Sequence, residues 1–168
     1  MHHIPHKEIR CLVVTVSDTR TVETDKSGLY ISDILKENGH KIVNHVIVPD
    51  DNKKIADALD TAIADERVDA VMMSGGTGIS ERDITIEVVE KYIRKSIPGF
   101  GELFRMLSYT EDIGSTAIMS RATAGVMDQN KVVFSMPGSS GAVKLAMQKL
   151  IVPELAHIHH ELYKHLTK

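Results

Sequence analysis

This chain has a single cysteine, no excess of basic charge and no long apolar run. A lone cysteine, Cys11, in 168 residues excludes an internal disulfide framework. It lies in the apolar run Ile9 to Val16, where a packed thiol is expected rather than a nucleophile. A formal net charge of −3 gives no electrostatic reason to expect nucleic acid or an anionic membrane as partner, so any phosphate binding must be local. No apolar stretch approaches the roughly 20 residues that span a bilayer. The opening Met1-His2-His3-Ile4-Pro5 has no signal-peptide core, and the expected compartment is the cytoplasm. Three signatures are also missing. No glycine loop ends in Gly-Lys-Ser/Thr, no GxGxxG follows the first strand, and there is no GxSxG elbow, so nothing points to a P-loop, a nicotinamide cofactor or acyl transfer. What remains is ordinary globular composition, 42% hydrophobic, enough for one core: a single domain over 1–168, with residues 1–8 as a short N-terminal arm.

Hydrophobic patterning then orders the elements. Ile9 to Val16 (IRCLVVTV) reads as a nearly continuous apolar strand, the kind buried on both faces of a parallel sheet. Ser27 is a good N-cap for a helix to Asn38. Lys41 to Val48 is a second strand, and Asp51 or Asn52 caps a helix running to about Arg67. Val68 to Met73 is a third strand. This βαβαβ alternation calls for a parallel sheet with helices on both faces, an α/β/α sandwich in three layers. A helix follows from about Thr85 to Lys95. A second amphipathic one has Phe100, Leu103, Phe104 and Leu107 at i, i+3, i+4 and i+7. Ser115 to Ala122 reads as a further short helix. Two runs flank Asp128-Gln129-Asn130, a hairpin turn, so one strand or hairpin is antiparallel. The chain closes helically from Ser139, with Pro153 marking a break between two helices. Of the terminal histidines, His157 and His160 stand at i, i+3, but no carboxylate or cysteine completes a recognisable metal set, and a solvated helix end is the reading taken.

The chemistry sits between these elements. Ser74-Gly75-Gly76-Thr77-Gly78 joins the third strand to the helix at Thr85; its glycines allow close backbone approach, and the helix start offers unpaired N–H groups to an anion. In an open parallel sheet, ligands bind beyond the carboxyl ends of the strands. The other ends supply Ser17-Asp18, Pro49-Asp50 and Pro137-Gly138-Ser139-Ser140. Two phosphate-type cradles and two carboxylates on one edge favour a phosphorylated ligand. An aspartate beside phosphate needs a cation between them, so Asp50 and Asp83 are candidate ligands, direct or through water, for Mg²⁺ carried in with a nucleotide. Asp83 has a competing role as N-cap of the helix at Thr85, and Asp50 as cap of the helix from Asp51. Arg82 either clamps a phosphate or pairs with Glu81 or Glu87.

In order along the chain, Thr15-Val16-Ser17-Asp18, Val48-Pro49-Asp50, Ser74 to Gly78 with Arg82-Asp83 and Thr85, Ile97 to Glu102, Ser120-Arg121 and Met136 to Ser139 resemble the MoaB/MogA family of molybdenum cofactor biosynthesis, most closely its stand-alone MoaB branch. The resemblance covers nearly the whole chain. It implies an α/β/α sandwich on a mostly parallel sheet, assembled as a trimer or trimer-based hexamer, that binds molybdopterin. It implies adenylylation of the molybdopterin phosphate with Mg·ATP, releasing pyrophosphate, and possible hand-over to a molybdenum-insertion protein. By motif, the family's essential aspartates fall on Asp50 and Asp83, and its ligand loops on Gly75, Gly76, Thr77, Gly78 and Pro137-Gly138-Ser139. The alternative is a pterin-binding carrier or scaffold of the same fold that does not turn over ATP.

Overall fold

The computed structural model describes residues 7–166. Six strands form one sheet in the order β2-β1-β3-β6-β5-β4: β1 Arg10–Val16, β2 Lys41–Val48, β3 Ala70–Ser74, β4 Lys95–Ser96, β5 Thr123–Val126 and β6 Val132–Met136. The first four in that order are mutually parallel, while β5 runs antiparallel to both of its neighbours. The expected arm therefore falls mostly outside the described residues; Lys7 and Glu8, which are described, are exposed.

Strand alternation builds two cores. Cys11, Val13, Met72 and Phe134 face one side, where they meet Ile31 and Leu35 of α1 (Lys26–Glu37), Phe100 and Phe104 of α4 (Pro98–Glu111), and Ala142 of α5 (Ser140–Leu145) with Leu155 of α6 (Val152–Tyr163). Leu12, Val14, Val71 and Met73 face the other, against Ile55 and Leu59 of α2 (Asn52–Ala64) and Val88 and Val89 of α3 (Thr85–Tyr92). The result is helix, sheet, helix in three layers, as expected. Cys11 is fully buried, and burial pushes its thiol pKa up to about 12, which leaves it a packed, protonated side chain.

Local details depart from expectation where tertiary contacts outbid local pattern. Asp25, not Ser27, caps α1: its carboxylate accepts the Gly28 N–H at 3.0 Å. Ser27 lies within the first turn and is used elsewhere. The helix from Thr85 stops at Tyr92, because Lys95–Ser96 pairs with Val126 and Gly125 as an edge strand too short to show a period. Phe100 and Phe104 are buried, but Leu103 is exposed. Gly114–Met119 is a 3₁₀ helix, shorter than the expected 115–122. Pro153 does not separate two helices. A π-helical stretch, Ala146–Ile151, runs between α5 and α6 without a break in helical dihedrals, and the wider turn accommodates a residue that cannot donate a backbone hydrogen bond. At the hairpin, Gln129 and Asn130 adopt φ of 62° and 56°, the left-handed turn that lets β6 return beside β5.

Candidate functional site

Parallel pairing brings the carboxyl ends of β1, β2, β3 and β6 to one edge, and backbone bonds stitch their loops together. The Ser17 N–H reaches the Val48 carbonyl at 2.8 Å, and the Gly75 N–H reaches the Met136 carbonyl at 3.0 Å. The two glycine turns therefore adjoin: a Cβ built on Gly138 would stand 3.4 Å from the Gly75 Cα. Between them opens a cleft of about 300 Å³ lined in part by Gly76, Thr77, Gly78, Asp83, Pro137 and Gly138.

Gly75 and Gly76 adopt φ of +97° and +66°, a conformation in which a side chain is strained. Space is short as well. A Cβ on Gly76 would lie 2.3 Å from Thr85 Oγ1 and 2.9 Å from Asp50 Oδ1. This contact locates Asp50: its carboxylate comes to the underside of the glycine turn. A Cβ on Gly78 would meet Asp83 Oδ2 at 2.6 Å, so Asp83 flanks the other end of the same turn.

Asp83 does not cap α3, whose first turn follows Ile84 with no side-chain cap. Instead its Oδ2 accepts the backbone N–H (3.1 Å) and hydroxyl (2.7 Å) of Ser80, folding the Ile79–Arg82 loop back on itself. Asp50 does not cap α2 either; Asp51 does, accepting the Lys54 N–H at 2.9 Å. Both acids are thereby left free of helix capping.

A third carboxylate joins them. Asp18 accepts the Asp50 N–H at 3.0 Å and is ion-paired to Arg82, which pairs with neither Glu81 nor Glu87. The hydrogen bond from Asp50, followed by Arg82, holds the Asp18 carboxyl below the usual carboxylate range. Asp50 moves the other way: burial, then the like charges of Asp18 and Asp83 set against Arg82, raise its pKa. A carboxylate whose ionisation its neighbours oppose gains from a cation.

The remaining expected positions divide by role. Ser17 Oγ accepts the N–H groups of Thr19 (3.2 Å) and Arg20 (3.1 Å), and Ser139 caps α5 through the Ala142 N–H. Both serines shape turns. Ser74 is buried at the end of β3, its hydroxyl without a partner among the described residues. Thr77 is buried, Gly78 is exposed where it lines the cleft, and Ser140 is exposed at the start of α5.

A larger hollow, about 550 Å³, lies at the opposite edge of the sheet. Its charges serve the fold. Arg10 donates to both oxygens of Asp69, and Lys131 Nζ donates to the carbonyls of Ala62, Ile63 and Asp65, closing the end of α2. The smaller cleft, where strand ends, glycine turns and acids converge, is the candidate site.

Residues 12–157 match the family model described as "probable molybdopterin binding domain". The chain belongs to the MoaB/MogA family. It is 59% identical over 156 residues to molybdenum cofactor biosynthesis protein B of Bacillus subtilis, covering 93% of this chain and 91% of that one. Its Bacillus cereus counterpart is 58% identical over 158 residues, 94% of this chain and 93% of the relative. A crystal structure of a molybdenum cofactor biosynthesis protein B superposes with a TM-score of 0.91 at 58% identity, covering 94% of this chain and 98% of the other. The tungsten cofactor synthesizing protein MoaB from Pyrococcus furiosus follows at 0.84 and 39%, covering 94% and 99%.

This MoaB/MogA member thus acts in molybdenum cofactor biosynthesis through a molybdopterin-binding fold. One residue lining its cleft, Arg121, has a structural role that its sequence motif does not name. Arg121 threads its guanidinium beneath the glycine loop, donating to the carbonyls of Thr77 (3.1 Å), Gly78 (2.7 Å) and Asp83 (3.2 Å) while paired with Glu87. An arginine spread over three carbonyls fixes a loop's curvature. The adjacent pair Ser120-Arg121 was the available signal; its partners lie about 40 residues away and no local pattern names them.

Proposed function

We propose that the protein is a molybdopterin adenylyltransferase: it binds molybdopterin and Mg·ATP and joins them as molybdopterin-AMP. The observation that carries this reading is the contact between the Gly75-Gly76 and Gly138 turns with Asp50 and Asp83 at the first of them. Adenylylation needs two phosphate-bearing substrates side by side, and two adjoining turns with backbone N–H groups suit that need.

In the proposed reaction an oxygen of the pterin phosphate attacks the α-phosphorus of ATP. A new P–O bond forms as the bond from that phosphorus to the bridging oxygen breaks, and pyrophosphate leaves with the electron pair. The protein's task is to align nucleophile and leaving group and to neutralise charge, with no covalent step of its own. The glycine turns, held by Arg121 and by the Gly75–Met136 hydrogen bond, keep N–H groups in place without reorganisation.

The donor set fits Mg²⁺. Asp50, Asp83 and the Thr85 hydroxyl, which has no hydrogen-bond partner among the described residues, are hard oxygens around Gly76 and Gly78. Among the described residues no group of three or more His, Cys, Asp or Glu side chains is placed to hold a metal by itself, which suits an ion that arrives with substrate phosphates. Such an ion supplies charge neutralisation between the acids and the phosphates.

Incubation with molybdopterin and Mg·ATP, following pyrophosphate, tests the reading. Stoichiometric pyrophosphate dependent on the pterin supports it; tight pterin binding without pyrophosphate makes the protein a carrier. We also infer self-association, because Leu103, Met106 and Tyr109 of α4 and Ile118 beyond it are exposed apolar groups on neighbouring turns. The adenylylated product would pass to a metal-insertion protein. No described helix is long and apolar enough to cross a membrane.

A further inference from the structure

Arg20, Arg82 and Arg121 all stand near the cleft, and two of them are already engaged. Arg82 is paired with Asp18, and Arg121 is spread over loop carbonyls and Glu87. Arg20 differs. Among the described residues its guanidinium makes no hydrogen bond, and its one ion pair is to Asp25, 3.7 Å from Nη1.

Its position is nonetheless set from two directions. Below it, Asp25 is fully buried; the carboxylate accepts the Gly28 N–H and the Thr15 hydroxyl and lies 2.7 Å from His45 Nε2. A buried carboxylate held this firmly anchors the cation that approaches it. Beside it, Nη1 lies 3.8 Å from where a Cβ on Gly138 would stand. That turn is tied to the same helix, since Ser27 Oγ donates to the Gly138 carbonyl at 2.8 Å. The position that local pattern marks as a helix cap is therefore a strut between α1 and the second glycine turn.

We propose that Arg20 is the cation of a phosphate subsite at the Gly138 turn. Asp18, Asp50 and Asp83 repel an incoming phosphate, and of these three arginines Arg20 is the one whose guanidinium makes no hydrogen bond among the described residues. A guanidinium presents paired N–H groups that match two oxygens of a phosphate, and it stays charged at every working pH. Asp25 acts through Arg20, as its positioning residue. The subsite rests on the pterin-and-nucleotide reading above, and it takes a terminal phosphate from either source, the pterin or the nucleotide.

Calorimetric titration of wild type, Arg20→Ala and Arg20→Lys with inorganic pyrophosphate, Mg·ATP and molybdopterin tests it. Arg20→Ala should bind pyrophosphate roughly 10- to 100-fold more weakly, the scale of one charged hydrogen-bonding contact. It should lose as much with one of the two substrates; a loss confined to Mg·ATP assigns the subsite to the nucleotide, and a loss confined to molybdopterin assigns it to the pterin. Arg20→Lys should fall between, keeping charge without the paired geometry. An Arg20→Ala variant that matches wild type on all three ligands overturns the subsite, as does a wild type that binds none. Pyrophosphate release unaltered in Arg20→Ala removes the subsite and leaves adenylylation standing. Arg20-dependent phosphate binding without turnover does the reverse.

Discussion

Gly76 rests on Thr85: a Cβ on the glycine would stand 2.3 Å from the threonine Oγ1, at a backbone φ of +66°. Two independent constraints, one steric and one conformational, thus meet at the turn nearest Asp50. Gly76→Ala should cost about 1–2 kcal/mol from the left-handed conformation alone. At roughly 2–4 °C per kcal/mol for a chain of this size, the melting temperature should fall by several degrees. Because the added methyl displaces the loop, molybdopterin affinity should fall with it. An unchanged melting curve and an unchanged calorimetric titration would show that the turn is looser than its geometry.

Asp50 is where stability and the proposed activity pull in opposite directions. Its pKa is raised, first by burial and then by Asp18, so in the cation-free protein its ionised form is disfavoured. The native state then holds the Asp50 proton more tightly than the unfolded chain. Its favourable contribution is complete below the unfolded carboxylate pKa, about 3.9, and is lost as pH rises through the higher folded value. At neutral pH Asp50→Asn should accordingly melt above wild type when no cation is present, with the difference shrinking toward pH 4. The same variant should lose at least 100-fold in pyrophosphate release, the order expected for a preorganised charge at a reacting phosphate. Thermal scans across pH, paired with the turnover assay, check both.

Asp25 carries the opposite sign. Burial raises its pKa, but hydrogen bonds from Thr15, Gly28 and His45 outweigh it and the net shift is downward. Its stabilisation is present above the unfolded carboxylate pKa and is lost as pH falls through the lower folded value. Removing one partner from a buried, charge-bearing network typically costs about 3–5 kcal/mol. Asp25→Ala should lower the unfolding free energy read from a denaturant titration by that scale at pH 7, and the gap should narrow in acid.

Arg121 is predicted to matter through the loop it holds. Arg121→Lys cannot span the carbonyls of Thr77, Gly78 and Asp83 together. Faster amide exchange across 75–83 and a raised KM are expected, with global stability nearly intact because the side chain is partly exposed. Exchange rates equal to wild type would assign the loop's order to its own internal bonds, Asp83 to Ser80 foremost.

Met106 is 55% exposed and stands between Leu103 and Tyr109 on one side of α4. If that side is covered by another copy, Met106→Glu buries an unpaired charge there and should shift the protein to a smaller species in analytical ultracentrifugation. A sedimentation coefficient unmoved by the substitution would place the contact elsewhere.

What the chain's own letters determined is whatever depends on near neighbours. The apolar runs of β1 and β3, the alternation of strand and helix, and glycine-bearing turns after β3 and β6 follow from periodicity and steric permission, both local properties. That Asp50 and Asp83 lie at the same edge as the glycine turn was legible because strand ends in a parallel sheet share an edge. Tertiary structure alone decided the competitions between equally good local choices. Asp25 displaced Ser27 as cap because Thr15 and His45, from two other strands, converge on its carboxylate. Asp83 turned back to Ser80, Arg82 reached across to Asp18, and Lys95–Ser96 became a strand because Gly125 and Val126 lay beside it. The placing of Arg20 beside Gly138 and of Arg121 under Gly78 joins residues some forty to more than a hundred positions apart. Such contacts carry no periodic trace, since their partners become neighbours only when the sheet has formed.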